Sequence, residues 1–136
     1  MVVHISRDVL KQILAQAAAV PDAEVCGLLL GMGERIIEAR VADNVADDPA
    51  RRFELDPAVL IAAHRTARAG GAQILGHYHS HPGGSTEPSA CDAAMAHVDG
   101  SLWLICAPDG GHALWRAGTA GLHGRFTRCA LEVGAP

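Results

Sequence analysis

The sequence predicts a mixed α/β domain of the α+β type, with a largely antiparallel, mixed sheet flanked by two to three helices. Three helix-period stretches are scattered among seven or eight short strand-like runs, which gives the mixed class. Several of those runs are joined by tight Gly-containing turns, which gives the antiparallel pairing. Hydrophobic residues make up 49% of the 136 and aromatic residues only 4%, so the core is expected to be built from Ala, Val, Leu and Ile. That length suits one domain covering residues 1–136.

Taken in order, residues 2–5 read as an opening strand. Ser6 is a candidate N-cap with Asp8 in the first turn, and Val9, Leu10, Ile13, Leu14 and Ala17 follow helical spacing, so a helix is expected over 7–19. Pro21 and Asp22 end it. Glu24 then precedes the apolar run 25–30, a strand buried on both faces, with Gly31 and Gly33 as its hairpin turn and 35–45 as the return strand. A short strand is expected over 52–55. Asp56-Pro57 marks a helix start, with Asp as N-cap and Pro at the first helical position, and Gly70-Gly71 stops that helix after residue 69. A strand over 73–79, a Gly- and Pro-rich loop over 82–88 and a third helix over 89–98 follow. Residues 102–106 and 112–116 flank Pro108-Asp109-Gly110-Gly111 as a hairpin, and 121–133 supplies one or two last strands.

Charge and composition exclude several function classes. A formal charge of −4 and a pI near 6.0 leave no basic footprint for nucleic acid. No apolar run is long enough to span a membrane and no leader pattern opens the chain, so a cytoplasmic protein is expected. The four cysteines, Cys26, Cys91, Cys106 and Cys129, show no paired spacing and read as buried free thiols.

The chemistry concentrates in Gly76-His77-Tyr78-His79-Ser80-His81-Pro82 and Pro88-Ser89-Ala90-Cys91-Asp92. Residues two apart on a strand share a face, so His79 and His81 project side by side as two ligands of one ion must. Asp92, at the start of a helix, adds a carboxylate. Two imidazoles and a carboxylate suit Zn²⁺ with its fourth position left to water. His77 lies on the same face, but residues four apart on a strand are about 13 Å apart, too far for His77 and His81 to share an ion. Bland readings stand beside these: Glu24 as a solvated loop residue, Ser89 and Asp92 as a capping box, and His4, His64, His97, His112 and His123 as surface or satisfied core histidines. As a zinc ligand, Asp92 is expected to give up most of its capping role.

The set formed by His79-x-His81-Pro82, the ten-residue gap to Asp92, Pro88-Ser89 upstream of it, and Glu24 two residues before Cys26-Gly27-Leu28-Leu29-Leu30-Gly31 resembles the JAMM (MPN+, JAB1/Mov34-type) metalloprotease family, in its compact prokaryotic form, over residues 1–133. The resemblance implies a curved sheet with a long helix on either side, of the cytidine-deaminase-like architecture. It implies one Zn²⁺ per chain on His79, His81 and Asp92, Glu24 as general acid/base beside the attacking water, and Ser89 as donor to a developing oxyanion. The implied substrate is an amide or isopeptide conjugate of a ubiquitin-like or sulfur-carrier protein, cut after its C-terminal Gly-Gly. His77 departs from the apolar or aromatic residue more usual in the family. Members that have lost the ligands are scaffolds; here every ligand position and Glu24 are intact, which favours an enzyme over a binding module.

Overall fold

In the computed structural model, which describes residues 2–135, the elements follow one another as β1 (Val2–Ser6), α1 (Arg7–Ala19), β2 (Cys26–Met32), β3 (Arg35–Ala42), α2 (Pro57–Arg68), β4 (Gln73–Ser80), α3 (Ala90–Met95), β5 (Leu102–Cys106), β6 (His112–Leu122) and β7 (Phe126–Gly134). This is the mixed α+β class that the sequence predicts. The helices begin where side chains satisfy their free N–H groups. The Ser6 hydroxyl accepts from the Val9 amide, and the Asp56 carboxylate accepts from the Ala58 amide with Pro57 behind it.

The strands pair in the order β1-β3-β2-β4-β5-β6-β7, and β7 returns to β1. Pairings of β1 with β3, β1 with β7 and β4 with β5 are parallel; the other four are antiparallel. The β1–β7 register runs from Val2 opposite Ala130 to Ser6 opposite Gly134, so the sheet closes and the two edges that an open sheet would expose are joined.

Three local expectations are corrected. The strand expected over 52–55 reduces to a single bridge, Asn44 to Leu55. The third helix ends at Met95, because Ala96 is extended (φ −71°, ψ 140°). The β2–β3 turn lies at Gly33, whose φ is 58°, while Gly31 stays in the strand at a bulge.

The alternation along β4 divides the two faces of the sheet. Tyr78 is wholly buried among Leu10, Ile13 and Ala17 of α1, and its hydroxyl donates to the Gln16 side chain. His79 turns the other way, toward the side where Phe53, Trp103, Ile105 and Phe126 cluster. Leu28, Leu30 and Ala63 form a smaller core beneath α2.

Gly76 lets β5 approach β4 closely enough for this arrangement. A Cβ at Gly76 would stand 1.9 Å from the carbonyl oxygen of Leu102, a backbone atom that cannot step aside. Gly76→Ala is therefore expected to destabilise the fold by about 3 kcal/mol or more, read as the drop in denaturant midpoint. Gly83→Ala, where a Cβ meets nothing within 4 Å, is the control and should leave the midpoint unchanged.

Candidate metal centre

The two histidines sit at the end of an interior strand. His79 lies opposite Cys26 of β2 and Ile105 of β5. The chain stays anchored past the strand end, because the Ser80 amide donates to the Val25 carbonyl at 3.0 Å and the His81 amide to the Cys106 carbonyl at 2.8 Å. The Nε2 atoms of His79 and His81 are 3.2 Å apart, and Asp92 Oδ2 lies 3.2 Å from the first and 3.0 Å from the second. All three residues are buried.

Those separations are a test of fit. Donors about 2.0–2.1 Å from a tetrahedral ion stand about 3.3 Å from one another, close to the spacing seen here. Hydrogen bonding gives a second test. His81 Nδ1 donates to the Ser85 carbonyl at 2.9 Å, which fixes the ring's orientation and leaves Nε2 as the atom that faces Asp92 Oδ2. Without a metal a proton on Nε2 bridges the pair at 3.0 Å, and a metal ion bound by both atoms would take that proton's place. The donor set thus fits a divalent metal with nitrogen and oxygen ligands.

Electrostatics follow from burial and mutual proximity. Burial alone would raise the Asp92 carboxyl, but hydrogen bonds with His79, His81 and the Ser89 amide outweigh it and hold it well below the usual carboxylate range. Burial pushes the His79 imidazole down. Burial also pulls at His81, but its bond to Asp92, that carboxylate's charge and the Ser85 carbonyl outweigh it, and its pKa rises.

Glu24 is not a solvated loop residue: it is 5% exposed. Its amide donates to the Pro49 carbonyl at 2.7 Å, and its carbonyl accepts from Asn44 Nδ2 at 2.9 Å. Next to it, the Val25 amide donates to the Ser80 hydroxyl at 2.9 Å. The backbone is thus clamped, and Oε1 of the carboxylate has no hydrogen-bond partner among the described residues. One carboxylate oxygen lies within 4.8 Å of ring nitrogens of both His79 and His81, a looser triad than the one closed by Asp92. Burial raises the Glu24 carboxyl to about 7, the nearby His81 tempering the rise and Asp92 adding to it.

Asp92 does not give up its capping role. The Ser89 hydroxyl accepts from the Asp92 amide at 3.0 Å, and Asp92 Oδ2 accepts from the Ser89 amide at 2.9 Å, a complete capping box. The oxygen that caps is the oxygen that faces the histidines. A carboxylate oxygen has two lone-pair directions, so one atom serves both.

Phe53, read only as part of a strand, stacks on the His79 ring with centroids 4.3 Å apart. No local signal marks it, since its partner is 26 residues away and it lies in an irregular segment. His77 is not part of the donor triad. Its ring lies 5.6 Å from that of His79, edge-on to Trp103 at 4.2 Å and beside Phe53, and burial pushes it down to about 3, hence neutral. Cys26 and Cys106 are buried free thiols, raised to about 12 by burial. Cys91 is exposed and Cys129 half-buried, which corrects the reading of all four as buried. His123 is an exposed histidine, as read from the sequence, and its Nε2 lies 2.9 Å from the Pro88 carbonyl oxygen.

The cleft over the triad has a volume of about 540 Å³, and Glu24, Arg51, His81, Gly83, Ser89 and His123 line it. A larger hollow of about 590 Å³ lies beyond Phe53 and His77, but none of Glu24, His79, His81 or Asp92 lines it. The smaller cleft is the one that Glu24 and His81 line.

Comparison with known proteins gives the family and the fold. Residues 6–118 match the model of the prokaryotic homologs of the JAB domain. The chain is 40% identical over 96 residues to Desampylase of Haloferax volcanii, covering 69% of each protein. It is 29% identical over 112 residues to Desampylase of Pyrococcus furiosus, covering 82% of this chain and 76% of that one. A protein from Desulfitobacterium hafniense has a similar fold, with a TM-score of 0.82 at 23% identity, covering 100% of this chain and 94% of the other. So does a JAB1/MPN domain protein from Archaeoglobus fulgidus, with a TM-score of 0.62 at 22% identity, covering 96% and 99%.

Proposed function

As a member of the prokaryotic homologs of the JAB domain, the family to which it belongs, the chain is a metal-dependent hydrolase, and we propose that it is a zinc isopeptidase acting after the C-terminal Gly-Gly of a ubiquitin-like protein. The observation that carries this reading is the convergence of His79, His81 and Asp92 donors at 3.0–3.2 Å beside a buried Glu24 carboxylate. Similarity to the two Desampylases favours a conjugate joined to a protein amine over a sulfur-carrier adduct.

In this reading His79, His81 and Asp92 hold one zinc ion, which when bound supplies Lewis acidity for the carbonyl and acidifies a water near neutral pH. Glu24 takes the proton from the attacking water and later gives it to the departing amine. A carboxyl lifted to about 7 suits both directions of that transfer near neutral pH. Ser89, whose oxygen already accepts from the Asp92 amide, still has its own hydrogen to offer the oxyanion. An extended Gly-Gly tail has no Cβ to clash with the walls of the cleft, which Arg51 helps to line. Residues 1–136 act as one catalytic domain, and the free thiols Cys26 and Cys106 suit the reducing cytoplasm. No helix among the described residues is long and apolar enough to cross a membrane.

The test is cleavage of a ubiquitin-like protein joined through its terminal Gly to a lysine side chain. Wild type should release the free carrier, a chelator should abolish release, and added zinc should restore it. Protein carrying one zinc per chain that leaves the isopeptide conjugate intact would overturn the reading.

A further inference from the structure

We infer that His123, in the turn between β6 and β7, is a positioning residue for this reaction: it holds the peptide plane that links Ser89 to Asp92. The inference rests on the roles proposed above for those two residues, and its basis is a chain of hydrogen bonds.

The loop over 82–89 has no regular structure, and ring N–H groups from outside it take three of its carbonyls. His81 Nδ1 bonds the Ser85 carbonyl, Trp115 Nε1 the Thr86 carbonyl, and His123 Nε2 the Pro88 carbonyl, each at 2.9 Å. A carbonyl only accepts, so His123 Nε2 carries the hydrogen in the last of these. The Pro88 carbonyl and the Ser89 amide belong to one rigid peptide unit. Its oxygen is held by His123, and its N–H donates to Asp92 Oδ2, the atom that faces His79 and His81. Tilting this plane swings the amide off Asp92 and moves the Ser89 hydroxyl. His123 is what resists that tilt on the side away from the triad.

The backbone supplies a second, independent observation. The Arg125 amide donates to the Leu122 carbonyl at 3.0 Å, and φ is 55° at His123 and 66° at Gly124. Two successive residues of the three-residue turn between Leu122 and Phe126 are thus in the left-handed region, where Asn and Gly are favoured. His123 is the non-glycine residue with positive φ among the described residues. The turn alone does not call for histidine; the carbonyl it reaches does. His123 also lines the cleft with Glu24 and Ser89, and it lies past residue 118, where the family match ends.

Two variants test this. His123→Asn suits the turn better but is too short to reach Pro88. His123→Gln places an amide N–H near the position of Nε2. With one zinc per chain in each, Asn should lower kcat about tenfold with KM unchanged and thermal stability no lower than wild type, and Gln should recover kcat to within about threefold of wild type. In the metal-free protein, backbone amide exchange over 87–92 should be about tenfold faster in the Asn variant and near wild type in the Gln variant. Asn matching wild type in kcat and exchange, or Gln behaving like Asn, overturns the inference. If wild type cleaves no conjugate, the isopeptidase reading fails by itself, and the exchange comparison still decides the role of His123.

Discussion

Glu24→Gln should lower kcat for conjugate cleavage about a thousandfold while leaving about one zinc per chain. Gln fills the same volume in a site where Glu24 is 5% exposed, and the bonds that clamp this position, to Pro49 and from Asn44, are made by backbone atoms the substitution does not touch. What is lost is the ability to accept a proton. A second measurement separates this from a packing effect. In metal-free protein the buried Glu24 carboxyl sits at about 7, above its ordinary value of 4.5, so the folded state binds the proton more tightly than the unfolded state. Stability then falls as pH rises from about 4.5 through about 7, and the carboxylate is a burden above that range. The metal-free Gln variant should therefore melt higher than wild type at pH 8, with the gap closing by pH 4. A kcat within tenfold of wild type would remove Glu24 from the proton path.

Much of the centre is written in local pattern. The two-residue period of a strand places His79 beside His81, and the spacing of Ser89 to Asp92 is that of a capping box, so both arrangements are legible without tertiary knowledge. Helix starts at Ser6 and Asp56 are legible for the same reason. What escapes is long-range. Closure of the sheet pairs Val3 with Leu131, contacts between chain ends that leave no mark on either segment. Phe53 lies in a stretch that reads as a strand, yet Asn44 holds that stretch by accepting from the Ala46 and Glu54 amides and donating to the Arg52 carbonyl. A side-chain scaffold of this kind has no period to detect. His123 is missed because its meaning depends on Pro88, 35 residues away.

Asp92→Asn should weaken zinc binding by more than about 100-fold while α3 stays folded. Removing a partner that merely orients a ligand costs about 10–100-fold, so loss of a ligand's charge should exceed that. The capping box can survive, because an amide oxygen at this position can still accept the Ser89 N–H that Asp92 Oδ2 accepts now. It cannot supply the negative charge that two neutral imidazoles lack. His79→Ala would abolish binding as well, but it removes a wholly buried ring stacked on Phe53 and leaves a cavity, so loss of metal and loss of packing would be confounded. Competition with a coloured chelator gives the affinity, and far-UV circular dichroism reports the helices. The wider triad of Glu24, His79 and His81 makes the opposite prediction. If that triad held the ion, Asp92→Asn would keep zinc within about tenfold and Glu24→Gln would lose it. The two variants therefore have to fail in different ways: one keeps its metal and stops turning over, the other folds and stays empty.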